Sequence, residues 1–336
     1  MKRFTIIVTL SLMMATPVFA ERVTPETARK VATTFLNNNG AKTAQLTDLS
    51  KSAGFPNLYI FTSEQGFVVM SADDCVKPIL GYSLTNTFVT EGMPENISSW
   101  LQGYSEEIQW AIDNKQRATF ETAKRWKDLV VGKPNAAKAD VIVGPLIQTE
   151  WNQNSPYNNL CPPGTVTGCV ATAMAQVMKY WNYPQQGQGS HSYIPQTHPE
   201  YGELTANFSA TIYDWANMTN TYGSTSDSIQ KEAVATLMFH CGVSVDMDYR
   251  YSSEGGSGAT SSEVPSALVE YFNYSPSATY MQKENYSDEQ WIDFLKSELN
   301  EKRPLFYRGR HENGGHAFAC DGYDSDNYFH FNWGWG

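Results

Sequence analysis

The sequence predicts an α+β protein in two parts behind an export signal, and three observations carry that reading. Helical spacing of apolar residues and short strand-like runs occur in both halves. In the second half the helices come first and the strands afterwards, the order of an α+β domain. A stretch at 131–140, with Gly132, Pro134, Asn135 and three alanines, separates halves of unlike charge. Residues 21–138 carry 13 basic and 13 acidic side chains, net zero, whereas 139–336 carry 9 and 22, net −13. The expected division is therefore 1–20, 21–138 and 139–336.

The 336 residues are 41% apolar, enough for packed cores, and only 18% charged with a net charge of −11, which argues against nucleic acid as a partner. Lys2 and Arg3 precede an apolar run from Phe4 to Ala15, and Val18-Phe19-Ala20 supplies small residues before a cut after Ala20. That is the pattern of a secretory signal peptide. No later run reaches 18 apolar residues, so no membrane partner is expected once the signal is removed, and the product is expected outside the cell or in a periplasm.

Thr24-Pro25-Glu26 reads as an N-cap with proline at the first helical position, continued by Ala28, Val31, Ala32, Phe35 and Leu36 and stopped by Gly40. Leu58–Phe61 and Gly66–Ser71 flank a polar turn and predict a hairpin. Ile97, Trp100, Leu101, Tyr104 and Ile108 predict a helix over about 96–115. In the second half, 145–163 is loop-like. From Cys169, residues Val170, Ala173, Met174, Val177, Met178 and Trp181 then follow helical spacing up to Pro184. Further helices are predicted at 227–241, 261–272 and 287–301, and strands at 305–308, 316–323 and 328–333. The glycines at 255, 256 and 258 lack a P-loop ending and predict a mobile surface loop over 252–262.

Thr167-Gly168 leads Cys169 to a helix N-terminus, where the dipole and unpaired N–H groups favour a thiolate nucleophile. His316, after two glycines and at the start of a strand, is the candidate base. Asn332, 16 residues later, is the candidate to orient the imidazole. Asp321 competes, but its odd offset from His316 points it to the opposite face. Gln153 is the candidate oxyanion donor beside the Cys169 N–H. Cys75, Cys161, Cys241 and Cys320 take no assignable role, and spacing alone does not decide disulfide pairing.

Several ordered motifs resemble the streptopain family of bacterial papain-fold cysteine peptidases, which includes interpain. They are Trp151-Asn152-Gln153 with Pro156-Tyr157-Asn158, Thr167 to Tyr180, Val243 to Tyr249, Gly314 to Phe318, and Asn332-Trp333-Gly334-Trp335-Gly336. Gly66 to Asp74 and Pro78 to Tyr82 resemble the family's inhibitory prodomain. The resemblance implies a papain-like domain, with Cys169 as nucleophile, His316 as general base and acid, and Gln153 in the oxyanion hole. Asn332 would orient His316, and Trp333 would shield that contact from water. It also implies a secreted zymogen that acts on protein or peptide substrates, with its own prodomain as intramolecular inhibitor, activated by cleavage in the connection. Family members continue past the tryptophan-glycine motif, so closing strands are expected beyond Gly336.

No cofactor is expected. A metal site from His311, His316 and Cys320 lacks a completing shell. Two other readings stand beside this one: an acyltransferase or transglutaminase-like Cys-His enzyme, in which an amine replaces water, and a non-catalytic secreted binding module, which would not need Cys169, Gln153 and His316 together.

Overall fold

A computed structural model describes residues 21–41, 45–91, 93, 95–133, 140–311 and 314–336. The predicted signal, 1–20, and most of the predicted connection, 134–139, lie outside the described residues. The chain forms two compact units, one within 1–92 and 101–138, the other within 93–100 and 139–336.

The first unit opens with helix α1 (Pro25–Asn38), where Thr24 Oγ1 accepts the Thr27 N–H at 3.2 Å and Pro25 occupies the first turn. Its predicted apolar stripe, Ala28, Val31, Ala32, Phe35 and Leu36, is buried throughout. Full burial of a side chain such as Phe35 or Leu36 stabilises by about 1.5–3 kcal/mol. Strand β1 (Thr47–Asp48), the single turn α2 (Ser50–Ala53) and strands β2 (Leu58–Thr62), β3 (Phe67–Ser71) and β4 (Ile79–Ser83) follow. The strands form an antiparallel sheet in the order β1-β2-β3-β4, and β2 and β3 are the predicted hairpin. Helix α3 (Glu95–Asp113) passes from the second unit into the first at residue 101, and α4 (Phe120–Val130) ends the unit. Thr119 caps α4, and Trp126 Nε1 donates to the Val76 carbonyl at 2.8 Å.

The second unit contains strand β5 (Val141–Val143), helix α5 (Cys169–Trp181), strands β6 (His191–Tyr193) and β7 (Leu204–Ala206), and helices α6 (Ser228–Val243), α7 (Val264–Phe272) and α8 (Asp288–Asn300). Strands β8 (Leu305–His311), β9 (Gly314–Asp324) and β10 (Phe329–Asn332) follow. Asp227 with Gln230 and Ser287 with Gln290 form capping boxes, which start α6 and α8 one residue beyond the expected first residues. The predicted 261–272 helix begins as a 3₁₀ turn, Ser261–Glu263, because Pro265 cannot sit deeper than the first turn of α7.

Strand β9 is the spine of the sheet, with β10 along one edge and β8 and then β5 along the other, all antiparallel. Alternation along β9 puts Ala317 into the core shared with α5 and α6, whereas Cys320 packs with Leu299 of α8 on the opposite face. Those two faces decide the geometry of the site.

Candidate active site

Gly168 takes φ 86° and ψ 142° at the N-cap of α5, a conformation that L side chains rarely adopt. The turn is tied on several sides. Thr172 donates from both N and Oγ1 to the Gly168 carbonyl, each at 3.1 Å, and the Thr167 N–H donates to the Gln153 carbonyl at 3.1 Å. Ser257 Oγ donates to the Val166 carbonyl at 2.6 Å, and Asp248 and Gly258 exchange backbone hydrogen bonds. The loop expected to be mobile is therefore fastened under the Gly168–Cys169 turn, with Ser257 and Ser261 buried. Its glycines signal turn geometry, and these partners come from parts of the chain distant in sequence.

A Cβ at Gly168 would lie 2.6 Å from Met247 Sδ and 3.1 Å from the Ser257 carbonyl oxygen. We expect Gly168→Ala to destabilise the chain by about 2–4 kcal/mol through strained φ and this crowding, read as a lower urea midpoint. An unchanged midpoint would contradict that account.

Cys169 begins α5, as its spacing predicts. The thiol does not ionise easily, however. Part of the residue reaches solvent, yet burial of the sulfur pushes its pKa up, outweighing the lowering by backbone groups of Ala317, Val170 and Cys169 and by the Arg308 guanidinium. The expected thiolate is thus disfavoured in this conformation, because the helix terminus contributes less than desolvation costs. The Ala317 backbone contact brings the sulfur next to the residue that follows His316 in the chain.

The imidazole faces elsewhere. His316 is buried, its Nε2–H donates to the Trp333 carbonyl at 2.8 Å, and its ring stacks between neighbours at 5.9 Å (Phe318), 6.2 Å (Trp333) and 5.2 Å (Trp335). Burial lowers its pKa to about 4, so the ring is neutral. Ala317 points to the α5 face, and His316 occupies the other face with Phe318. Trp100 packs on that same face, 5.6 Å from Phe318 and 5.1 Å from Trp333 between ring centroids. A Cβ on Gly309, which pairs with His316, would come within 2.9 Å of the Trp100 ring.

Asn332 lies on the neighbouring strand, as its separation from His316 suggests, but it pairs with Ala319 and so points to the α5 face. Here it does not hold the imidazole. Its Oδ1 accepts from Gln176 Nε2 at 3.0 Å and from the Gly334 N–H at 3.1 Å, and its Nδ2 donates to the Thr149 carbonyl at 2.7 Å. Trp333 covers His316 directly instead of an Asn332–His316 contact. Gln153 is buried beside the Cys169 turn, held by its own backbone, and its amide has no hydrogen bond among the described residues. Asp321 is on the α5 face, as its odd offset requires, accepting from the Ile147 N–H at 2.8 Å and bonded to His330 Nδ1 at 2.6 Å.

Sequence reasoning passed over Gln176, Thr149, Arg308 and Trp100's contacts. Gln176 had a signal: it is a polar residue seven positions after Cys169 on a mostly apolar helix. All five cysteines are free. Among the described residues no three His, Cys, Asp or Glu side chains converge as a metal site, and the side chain of His311 is outside them. No helix among them is long and apolar enough to cross a membrane.

Comparison with known proteins agrees with this arrangement of motifs. Residues 151–336 match the Peptidase C10 family, and residues 20–108 match the Spi protease inhibitor. Streptopain of Streptococcus pyogenes is 35% identical over 356 aligned positions, covering 96% of this chain and 86% of that protein. The thiol protease/hemagglutinin PrtT of Porphyromonas gingivalis is 32% identical, covering 81% of this chain and 32% of that protein. The structure of a Prevotella intermedia prointerpain A fragment superposes with a TM-score of 0.72 at 36% identity, over 87% of this chain and 88% of that one. Active interpain A gives 0.55 at 43% identity, over 57% and 82%. The chain belongs to the Peptidase C10 family of papain-like cysteine proteases, preceded by an inhibitor-type prodomain.

Proposed function

We propose that this chain is the exported zymogen of an endopeptidase, with residues 21–138 as the inhibitory part and 139–336 as the catalytic part. The carrying observation is the pairing of Cys169 Sγ with the Ala317 backbone while the adjacent His316 ring is bonded to Trp333 on the other face of β9. The Cys169 thiol thus lies against the residue next to His316, while strand alternation holds the His316 ring on the opposite face of β9. That is the geometry of a latent site.

In the working enzyme His316 turns to the α5 face, takes the Cys169 proton and forms a thiolate–imidazolium pair. The thiolate attacks the peptide carbonyl, and the oxyanion is held by the Cys169 N–H and the Gln153 amide. His316 protonates the leaving amine, and water then releases the acyl group through the same imidazole. Asn332 fixes the ring, and Trp333 excludes water from that contact. Protein or peptide substrates are expected, and the prodomain is the intramolecular inhibitor.

The test is alkylation of Cys169 by iodoacetamide across pH, followed by peptide mapping, in intact and self-processed chain. In the intact chain the rate should rise with a midpoint above that of a free cysteine, because the thiol is raised. After processing, the midpoint should fall below neutrality and peptide hydrolysis should appear. The same high midpoint in a fully active processed enzyme would sink the proposed latency.

A further inference from the structure

We propose that Gln176 is a positioning residue for the peptidase reaction: it locks the Asn332 amide in the orientation that receives the His316 ring. The inference rests on the reading of Asn332 as the group that orients His316.

The orientation of Asn332 follows from its partners. The Thr149 carbonyl only accepts and the Gly334 N–H only donates, so Nδ2 must face Thr149 and Oδ1 must face Gly334. Gln176 Nε2 is the second donor to that oxygen, at 3.0 Å, and Gln176 is itself fixed by Thr149 Oγ1–H donating to its Oε1 at 2.8 Å. Gln176 is fully buried. A buried amide with both ends satisfied is rigid, because any rotation leaves a polar atom unpaired, at about 1–3 kcal/mol.

Gln176 stands two turns beyond Cys169 on α5, with Thr172 between them on the same stripe and bonded to Gly168. The helix that presents the nucleophile therefore also fixes Asn332. The other donor, Gly334 N–H, lies between Trp333 and Trp335, the two rings stacked on His316. When His316 leaves that stack, this segment moves with it. One lone pair of Oδ1 is then free for the imidazole Nε2–H, and Gln176 keeps the other.

Gln176→Met, Gln176→Glu and Asn332→Ala are made in the full chain and matured by tagged wild-type enzyme that is then removed. kcat, KM and melting temperature are measured across pH. Gln176→Met should lower kcat about 10–100-fold with KM within about twofold of wild type, since a misdirected orienting group costs rate more than binding. Gln176→Glu should keep activity at acid pH, where the buried neutral carboxyl donates O–H to Asn332. It should lose activity as that group ionises, adding a falling limb absent from wild type. If Gln176→Met does not mature, Thr149→Val removes the hydroxyl that holds Gln176 and should reproduce the kcat loss. Wild-type kcat and pH profile in the Gln176 variants, or a change confined to KM or melting temperature, would overturn the proposal while Asn332→Ala remains impaired. An unimpaired Asn332→Ala would overturn the reading beneath it.

Discussion

Cys169→Ala is expected to leave the intact chain folded, unprocessed and inactive, with peptide hydrolysis reduced by about 10⁴-fold or more. The substitution removes one sulfur from a half-buried residue and leaves Gly168, Thr172 and the core around α5 in place. Stability should change little, so the loss reports chemistry. Added wild-type enzyme should cleave the variant in trans, which separates an absent nucleophile from an inaccessible connection. Self-processing of Cys169→Ala at the wild-type rate would exclude Cys169 as the nucleophile.

His316→Ala is expected to reduce kcat by about 10²–10⁴-fold, the range for loss of a general acid–base group. It should also change how the intact chain responds to acid. His316 has a folded pKa of about 4, against 6.5 when free, so the folded state disfavours the charged ring. Above pH 6.5 both states are neutral and the full contribution is present. As pH falls the unfolded chain binds a proton that the folded chain resists, so stability decreases and the contribution is gone below about pH 4. The total is about 3 kcal/mol, of which about 2 is lost by pH 5. Urea midpoints of intact wild type at pH 7 and pH 5 should differ by more than those of His316→Ala. His240, also lowered to about 4 by burial, keeps some acid slope in both chains. Equal slopes would mean that His316 is not buried neutral in the zymogen.

The acid response bears on latency. A conformation that holds His316 neutral against Trp333 and Trp335 is weakened by the protonation that the proposed thiolate–imidazolium pair requires.

Much of this was legible in local pattern. Thr24-Pro25 and the stripe from Ala28 to Leu36 specify α1 because capping and 3.6-residue periodicity act within a few residues. Thr167-Gly168-Cys169 shows a thiol at a helix start for the same reason. Short or weakly patterned elements were not legible. Strand β5 is three residues with Val141 and Ile142 exposed, and it is a strand because it pairs with the end of β9. Helix α4, with Phe120 exposed at its start, carries too thin an apolar stripe to stand out.

The sequence alone determined which groups are candidates for this protein's chemistry: a thiol at a helix N-terminus, an imidazole at a strand start, an amide on the next strand, and a front half of inhibitor type. Only the tertiary structure decided how those groups stand to one another. The pairing of Asn332 with Ala319 turns its amide to α5, and alternation turns His316 to the opposite face, among Phe318, Trp333 and Trp335. Burial then makes both thiol and imidazole neutral. Those outcomes depend on strand register and on desolvation by residues far apart in the chain, and neither is encoded within the span of a motif.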